Sequence, residues 1–160
     1  MVRPSRDAAV RLELLGKEWT TTKFIRTLNF TGNSVIPKHR TEGIKAAAFS
    51  DAEAEYLAEN FIGRVGTASP SGQPHVVPVG YRFDGSTITF GGWNLARSLK
   101  YRNLMANNRV AFVVDDVVSA KPWRVRGIEI RGRAELVTSK DDVSMIRIIP
   151  LNIRSWGLEA

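Results

Sequence analysis

The chain has 160 residues, 43% of them apolar, and it contains no cysteine. This length suits one domain, and the apolar content is sufficient for a hydrophobic core. No run approaches the roughly 18–20 consecutive apolar residues of a membrane helix, and a secretory signal pattern is absent. Without cysteine there are no disulfides and no cysteine nucleophile. We therefore expect a cytoplasmic protein that does not bind membranes.

The net charge of +7 would suit nucleic-acid binding if it were spread over the fold. Residues 1–47 instead hold nine basic and four acidic side chains, so most of the excess lies there. This segment has no sustained apolar period, and we expect a largely disordered extension. The globular domain is then predicted at residues 48–160, and its near-neutral balance argues against a nucleic-acid partner. The two histidines, His39 and His75, are too few and too far apart to predict a metal site.

The first elements of the domain carry clear local signals. Ser50-Asp51-Ala52-Glu53 matches a capping box, which predicts a helix over about Asp51–Asn60. Phe61–Ala68 has the composition of a first strand. Pro74–Phe83 and Ser86–Phe90 are predicted to form a hairpin, because the intervening Asp-Gly pair is typical of a tight turn.

The segment after this hairpin contains the strongest signal for a binding site. Gly91-Gly92 breaks the strand, and Asn94 is placed to cap a helix beginning at Leu95 and ending near residue 106. A helix start offers free N–H groups and a partial positive charge to a phosphate. Ser98 and Lys100 add a hydroxyl and a cation, so every part of the segment suits one anion. The alternative is that the glycine pair only ends a strand and that Lys100 is an ordinary solvated lysine.

The second half of the chain predicts three further strands. Arg109–Val118 contains the run Val110–Val114, which is apolar on both faces and would be covered by the core on one side and by a second subunit on the other. Val125–Val137 alternates apolar and polar residues, with a bend or bulge expected at Gly132. After a polar turn, Met145–Ile149 is the last strand, ended by the following proline. Strands joined by short turns, with two or three small helices, predict an antiparallel barrel.

Four segments, in this order, resemble the FMN-binding split-barrel superfamily that includes pyridoxamine 5′-phosphate oxidase. Within it, the chain is most similar to the branch that uses the deazaflavin coenzyme F420. The segments are IGRVGTASPSGQPHVVPVGYRFDG, FGGWNLARSLKYRNLMANNRVAFVVDD, GIEIRGRAEL and IRIIPLNIRSWG, and together they cover about residues 49–158. The resemblance implies a mainly β fold, a six-stranded antiparallel split barrel that forms a homodimer with two cofactors at the subunit interface.

The resemblance also implies a set of cofactor-binding residues. They are Val76, Val77, Pro78 and Val79 along the ring system, Gly91, Gly92, Ser98 and Lys100 at the phosphate, and Trp156, six residues after Pro150, near the cofactor. The position between Ser98 and Lys100 is commonly basic in the family, whereas Leu99 stands there in this chain.

The residues and the resemblance together suggest an activity. Because the domain shows neither a side-chain nucleophile nor a paired-carboxylate site, the cofactor would carry the chemistry, and no catalytic residue is predicted. His75, on the ring strand, is expected to be a half-buried structural residue. We expect an F420-dependent oxidoreductase, a reductase that passes a hydride to an unsaturated or quinoid small molecule. With FMN and oxygen the same fold would be an oxidase, and a non-catalytic flavin or deazaflavin carrier or sensor is a further alternative.

Overall fold

The computed structural model describes residues 43–138 and 144–158. These residues form a closed six-stranded antiparallel barrel in the order β1-β2-β3-β6-β5-β4, which confirms the predicted fold class. The strands are β1 (Ile62–Ala68), β2 (Pro74–Phe83), β3 (Ile88–Phe90), β4 (Arg109–Ala120), β5 (Trp123–Thr138) and β6 (Ser144–Trp156). Helix α1 (Asp51–Glu59), helix α2 (Leu99–Ala106) and a 3₁₀ turn at Leu95–Arg97 accompany them. Within these ranges, no helix has the length and apolar character needed to cross a membrane.

The core fills the barrel because each strand turns alternate side chains inward. Every strand contributes at least one buried apolar side chain, for example Val65, Val79, Phe90, Phe112, Ile130 and Ile148. Gly63 on β1 makes room for the Phe112 ring, since a Cβ at this position would overlap it. The inward-facing side chains of the strands therefore fill the core, so a ligand can contact only the outer face and the free edges of the barrel.

Helix α1 begins as the sequence predicts. Ser50 donates its backbone N–H to Glu53 Oε2 at 2.9 Å, and Ser50 Oγ accepts the backbone N–H of Glu53 at 3.3 Å, which completes the capping box. The helix buries Tyr56 and Leu57 against the barrel. Tyr81 donates its phenolic hydrogen to Leu57 O at 2.8 Å, which fixes α1 to β2.

Strand β6 differs from its prediction at Pro150. The strand does not end there but continues to Trp156, because Gly132 pairs with Pro150 and Arg131 pairs with Asn152, so Pro150 lies beside a bulge formed by Leu151 of β6 itself. A bulge tolerates a residue that lacks an N–H donor. The predicted irregularity at Gly132 is confirmed, and a Cβ on Gly132 would overlap the carbonyl oxygen of Ile149.

Two predictions concern residues outside the described ranges. The polar turn at Ser139–Asp142 and most of the extension at residues 1–47 fall there, so the domain boundary stays a prediction. Ala47, the last residue assigned to the extension, donates its N–H to Pro150 O at 2.9 Å. A truncation that tests the boundary should therefore retain Ala47.

The apolar run of β4 has the two faces that its sequence suggests. Val110, Phe112 and Val114 point into the core, whereas Val113 is half-buried on the outer face. The cross-strand neighbours of Val113 are Arg64 and Glu129, so its surroundings are charged rather than apolar.

Candidate cofactor site

Strand β2 has a free edge next to the glycine pair Gly91-Gly92. It pairs with β1 over most of its length, but its pairing with β3 is confined to Tyr81–Phe83. Tyr81 donates its backbone N–H to Phe61 O on the β1 side. Because these groups alternate sides along a strand, the N–H and C=O of Val76 and the C=O of Pro78 face the free edge. No strand in the described ranges pairs with them, so they can bind the polar edge of a planar ring.

The four predicted ring-contacting residues divide between the two faces of β2. Val76, which is 64% exposed, and Pro78 lie on the outer face, while Val77 and Val79 point into the barrel. The two-residue period of a strand makes this division unavoidable. Only Val76 and Pro78 therefore offer side chains to a ligand, and Val77 and Val79 support the strand from the core.

The glycine pair and the predicted phosphate-binding lysine lie together. Gly92 follows β3 closely, and a Cβ on it would lie 3.6 Å from Lys100 Nζ. Lys100 is half-buried near the start of α2, and no described residue forms a hydrogen bond or ion pair with its ammonium group. A cation held over bare backbone, without a counter-charge, is an arrangement that suits a phosphate.

The start of the helix differs from the prediction. Asn94 has a left-handed backbone, with φ of 52°, and its side chain caps nothing; α2 begins at Leu99 after the 3₁₀ turn. Ser98 is the actual N-cap, because its Oγ accepts the Tyr101 N–H at 3.3 Å and donates to Leu95 O at 2.6 Å. The predicted side-chain cap at Asn94 was wrong, and the segment predicted as one helix from Leu95 to about residue 106 is divided into the 3₁₀ turn and α2. Since the Ser98 hydroxyl already holds the helix start, Lys100 is the freer group for an anion.

A second cation, Arg82, was missed by the sequence analysis. It pairs across the sheet with Thr89, two residues before Gly91. Its Nη1 is buried and has no hydrogen-bond partner. Leaving a buried donor unpaired costs free energy, and a bound anion would remove this cost. In the sequence, Arg82 is only one charged residue at the end of a strand, a pattern that also fits ordinary surface exposure.

His75 takes part in a polar network beneath the site. Asn103 on α2 is buried and donates from Nδ2 to Thr67 Oγ1 at 3.1 Å, and the same hydroxyl lies 3.5 Å from His75 Nδ1. The network joins the helix that carries Lys100 to the first residues of β2 through β1. His75 is half-buried, in agreement with its predicted structural role.

Trp156 is not brought to the glycine pair within one chain. Strand β3 pairs with β6 at Ile146–Ile148, and Trp156 lies eight residues further along, about 26 Å of extended strand. Its indole packs on Gly127 of β5, where a Cβ would overlap it, and 40% of its surface is exposed. The predicted site residues therefore form two separate groups on the barrel.

An acidic group near α1 has a structural rather than a ligand-binding environment. Arg126 Nε donates to Asp116 Oδ1 at 2.9 Å, and Tyr56 donates its hydroxyl to the same oxygen at 3.0 Å. The hydrogen bonds from Arg126 lower the pKa of the Asp116 carboxyl and outweigh the opposing effect of burial. Burial, together with the hydrogen bond to Asp116, raises the pKa of Tyr56. These three side chains join α1 to β4 and β5.

Sequence comparisons match this chain to known proteins. The model of a family described as pyridoxamine 5′-phosphate oxidase matches residues 49–154. A 5a,11a-dehydrotetracycline/5a,11a-dehydrooxytetracycline reductase from Streptomyces rimosus subsp. rimosus is 39% identical over 120 residues, which are 69% of this chain and 84% of that protein.

Solved structures share the barrel. A conserved hypothetical protein from Mycobacterium tuberculosis has a TM-score of 0.59 at 24% identity, with 74% of this chain and 91% of that one covered. An F420 reductase has a TM-score of 0.52 at 25% identity, with 62% of this chain and 94% of that one covered. A FAD-binding protein from Mycobacterium smegmatis, with a TM-score of 0.54 at 21% identity and coverage of 68% and 94%, shows the fold alone.

Proposed function

This chain belongs to the pyridoxamine 5′-phosphate oxidase family and is an oxidoreductase of the flavin or deazaflavin type, and we propose that it is a reductase using reduced F420. The observation that carries the proposal is an unpaired cation, Lys100, beside Gly92 of a bare glycine pair at the free edge of β2, with a second cation, Arg82, whose buried Nη1 has no partner, on the part of β2 that pairs with β3. These groups fit a planar heterocycle that is linked to a phosphate.

Different residues bind different parts of the cofactor. Lys100 and Arg82 neutralise the phosphate next to Gly91 and Gly92, and the backbone of β2 near Val76 holds the polar edge of the ring. When bound, reduced F420 supplies a hydride. The chain orients the ring against a rigid strand and excludes water from one of its faces.

The substrate class is proposed from the curated relative. The S. rimosus protein is a reductase of a dehydrotetracycline. By this likeness, the proposed substrate of the present chain is a planar, unsaturated or quinoid small molecule. A hydride goes to one end of its conjugated system and a proton from solvent to the other, so the substrate gains two electrons. The outer face of β2, with Val76 and Pro78, leaves room for such a flat molecule over the ring.

We propose a homodimer in which each cofactor site uses both subunits. Three observations support it: Trp156 lies far from the glycine pair of its own chain, and Trp93 and Trp123 are 92% and 68% exposed. Large exposed aromatic side chains mark a surface that is covered by another molecule. In the dimer, Trp156 of one subunit approaches the cofactor held by Lys100 of the other.

The direct test is to titrate the purified chain with F420 and FMN, and then to follow oxidation of reduced F420 with menadione as a quinoid acceptor. We expect tight F420 binding and oxidation of the reduced coenzyme that depends on menadione. Preferred binding of FMN, with reoxidation by oxygen, would instead support an oxidase, the second candidate, which the family match itself favours. F420 binding without turnover of any acceptor would indicate a carrier.

A further inference from the structure

The glycines of this barrel differ in what a Cβ would meet. At Gly63, Gly127 and Gly132 a Cβ would overlap atoms of the same chain, so internal packing requires glycine there. At Gly80, in the middle of β2, a Cβ would meet only Phe61 O, at an ordinary distance of 3.8 Å. Its φ is not positive. Neither the packing nor the backbone of the described residues requires glycine at position 80.

Gly80 lies beside the predicted phosphate site. It precedes Tyr81, which pairs with the last residue of β3, so Gly80 is next to Gly91 across the sheet. Gly91 and Gly92 share its property: their Cβ atoms would meet nothing closer than 3.8 Å and 3.6 Å. Together the three residues, called here the glycine patch, leave bare backbone between the free edge of β2 and Lys100.

Glycines in such a patch lower the stability of the fold, and contact with a bound molecule would explain why glycine is present there. Glycine inside a strand is less stable than alanine because it loses more backbone freedom on folding. Where internal packing does not require it, glycine in a strand often marks the close approach of a ligand or another backbone. Arg82, two positions after Gly80 on β2, adds a buried Nη1 without a hydrogen-bond partner to this part of the strand.

We infer that Gly80 is a close-approach residue of the cofactor site, a role that the sequence analysis does not include. Without a side chain, the backbone of β2 can touch the linker between the phosphate and the planar ring of a flavin-type cofactor. The inference rests on the proposed function and deepens it, because it names a residue that determines which cofactors fit. A methyl group at this position would lift the linker from the strand.

The test compares Gly80→Ala and Gly80→Val with Gly66→Ala as a matched control. Gly66 is also in a strand, and its Cβ would lie 3.6 Å from the Ala111 Cβ and 3.9 Å from Val76 Cγ2, but it is on the β1 side of β2. F420 and FMN affinities are measured by fluorescence titration, with the Tm and the dimer mass of each ligand-free variant. We expect Gly80→Ala to lower affinity about 10-fold or more and Gly80→Val to lower it further. The Tm values of Gly80→Ala and of the control Gly66→Ala should equal or exceed that of the wild type, because neither Cβ would meet an atom closer than 3.6 Å.

Unchanged affinity in Gly80→Ala would overturn the inference. So would a loss accompanied by a lower Tm or by dissociation, since these indicate a distorted sheet or a subunit contact. Failure of the proposed function is distinguishable, because it would appear in the wild type as preferred binding of FMN or as binding of neither cofactor.

Discussion

Lys100 is the residue whose substitution best separates ligand binding from stability. In the proposed site, Lys100→Ala would remove a charge-assisted hydrogen bond to the phosphate, of roughly 1.5–3 kcal/mol, so cofactor affinity should fall on the order of 10- to 100-fold. The ligand-free Tm should change little. Fluorescence titration at two salt concentrations measures the effect, because salt should weaken wild-type binding more than that of the variant. Arg102→Ala is the control, since Arg102 is exposed on the same helix and its side chain forms no hydrogen bond or ion pair with a described residue. Equal losses in both variants would exclude a specific role for Lys100.

Substitution of Arg82 should lower cofactor affinity without lowering the stability of the ligand-free chain. Arg82→Met keeps most of the side-chain volume and removes the buried donor that has no partner. We expect the ligand-free free energy of unfolding, measured with urea, to stay the same or increase, because an unsatisfied group is lost. Cofactor affinity should fall, since the guanidinium no longer meets the phosphate. A variant that loses stability but binds normally would show that Arg82 has a structural partner instead.

At the scale of elements, the stability that the ion pair joining α1 to β4 and β5 contributes should depend on pH. The pKa of Asp116 is lowered in the folded chain, so its ion pair with Arg126 contributes stability above the unfolded pKa of about 4 and loses it as pH falls through the lower, folded value. Urea unfolding from pH 7 to pH 3 should therefore show a wild-type advantage over Asp116→Asn that shrinks with acid. Asp115→Asn is the control, because Asp115 pairs with Arg64 on the exposed surface and such pairs contribute little. A constant difference at all pH values would contradict the prediction.

The elements also show where sequence reasoning succeeds. The capping box at Ser50 and the Asp84-Gly85 turn were predictable because each uses side chains close in sequence. The continuation of β6 through Pro150 was not, since it depends on a bulge at Leu151 in the pairing of β6 with β5. The cap at Ser98 instead of Asn94 shows the same limit, because both residues have the right chemistry and only the fold chooses between them. The sequence suggests Gly91, Gly92 and Lys100 for the proposed phosphate site by residue type, whereas Arg82 and Gly80 became candidates only from burial and open space.

At the scale of the whole molecule, the barrel presents apolar groups that a single chain leaves exposed. The β4–β5 hairpin carries Val117, Val118, Trp123 and Val125, which are 38–68% exposed, beyond the region where β1 and β6 flank the two strands. An isolated two-stranded ribbon is marginal in water. A second copy of the chain would cover this surface, and it would also bring Trp156 to the cofactor site. The fold was predictable from the sequence pattern and resemblance, and the separation of Trp156 from the glycine pair along β6 adds support for the proposed sharing of one site between subunits.

The shared site can be tested by mixing two defective variants. In a Lys100→Ala homodimer every site lacks the lysine, and in a Trp156→Ala homodimer every site lacks the indole, so each alone should bind F420 weakly. Random exchange of subunits makes about half of the dimers mixed, and in each of these one site carries both defects and the other carries neither. If Trp156 comes from the partner subunit, an equal mixture should regain about one quarter of the wild-type number of tight sites, as measured by stoichiometric fluorescence titration after subunit exchange. If Trp156 and Lys100 of the same chain meet at one cofactor, every site keeps one defect and the mixture binds as weakly as its components. A monomeric wild type that binds F420 tightly would also reject the shared site.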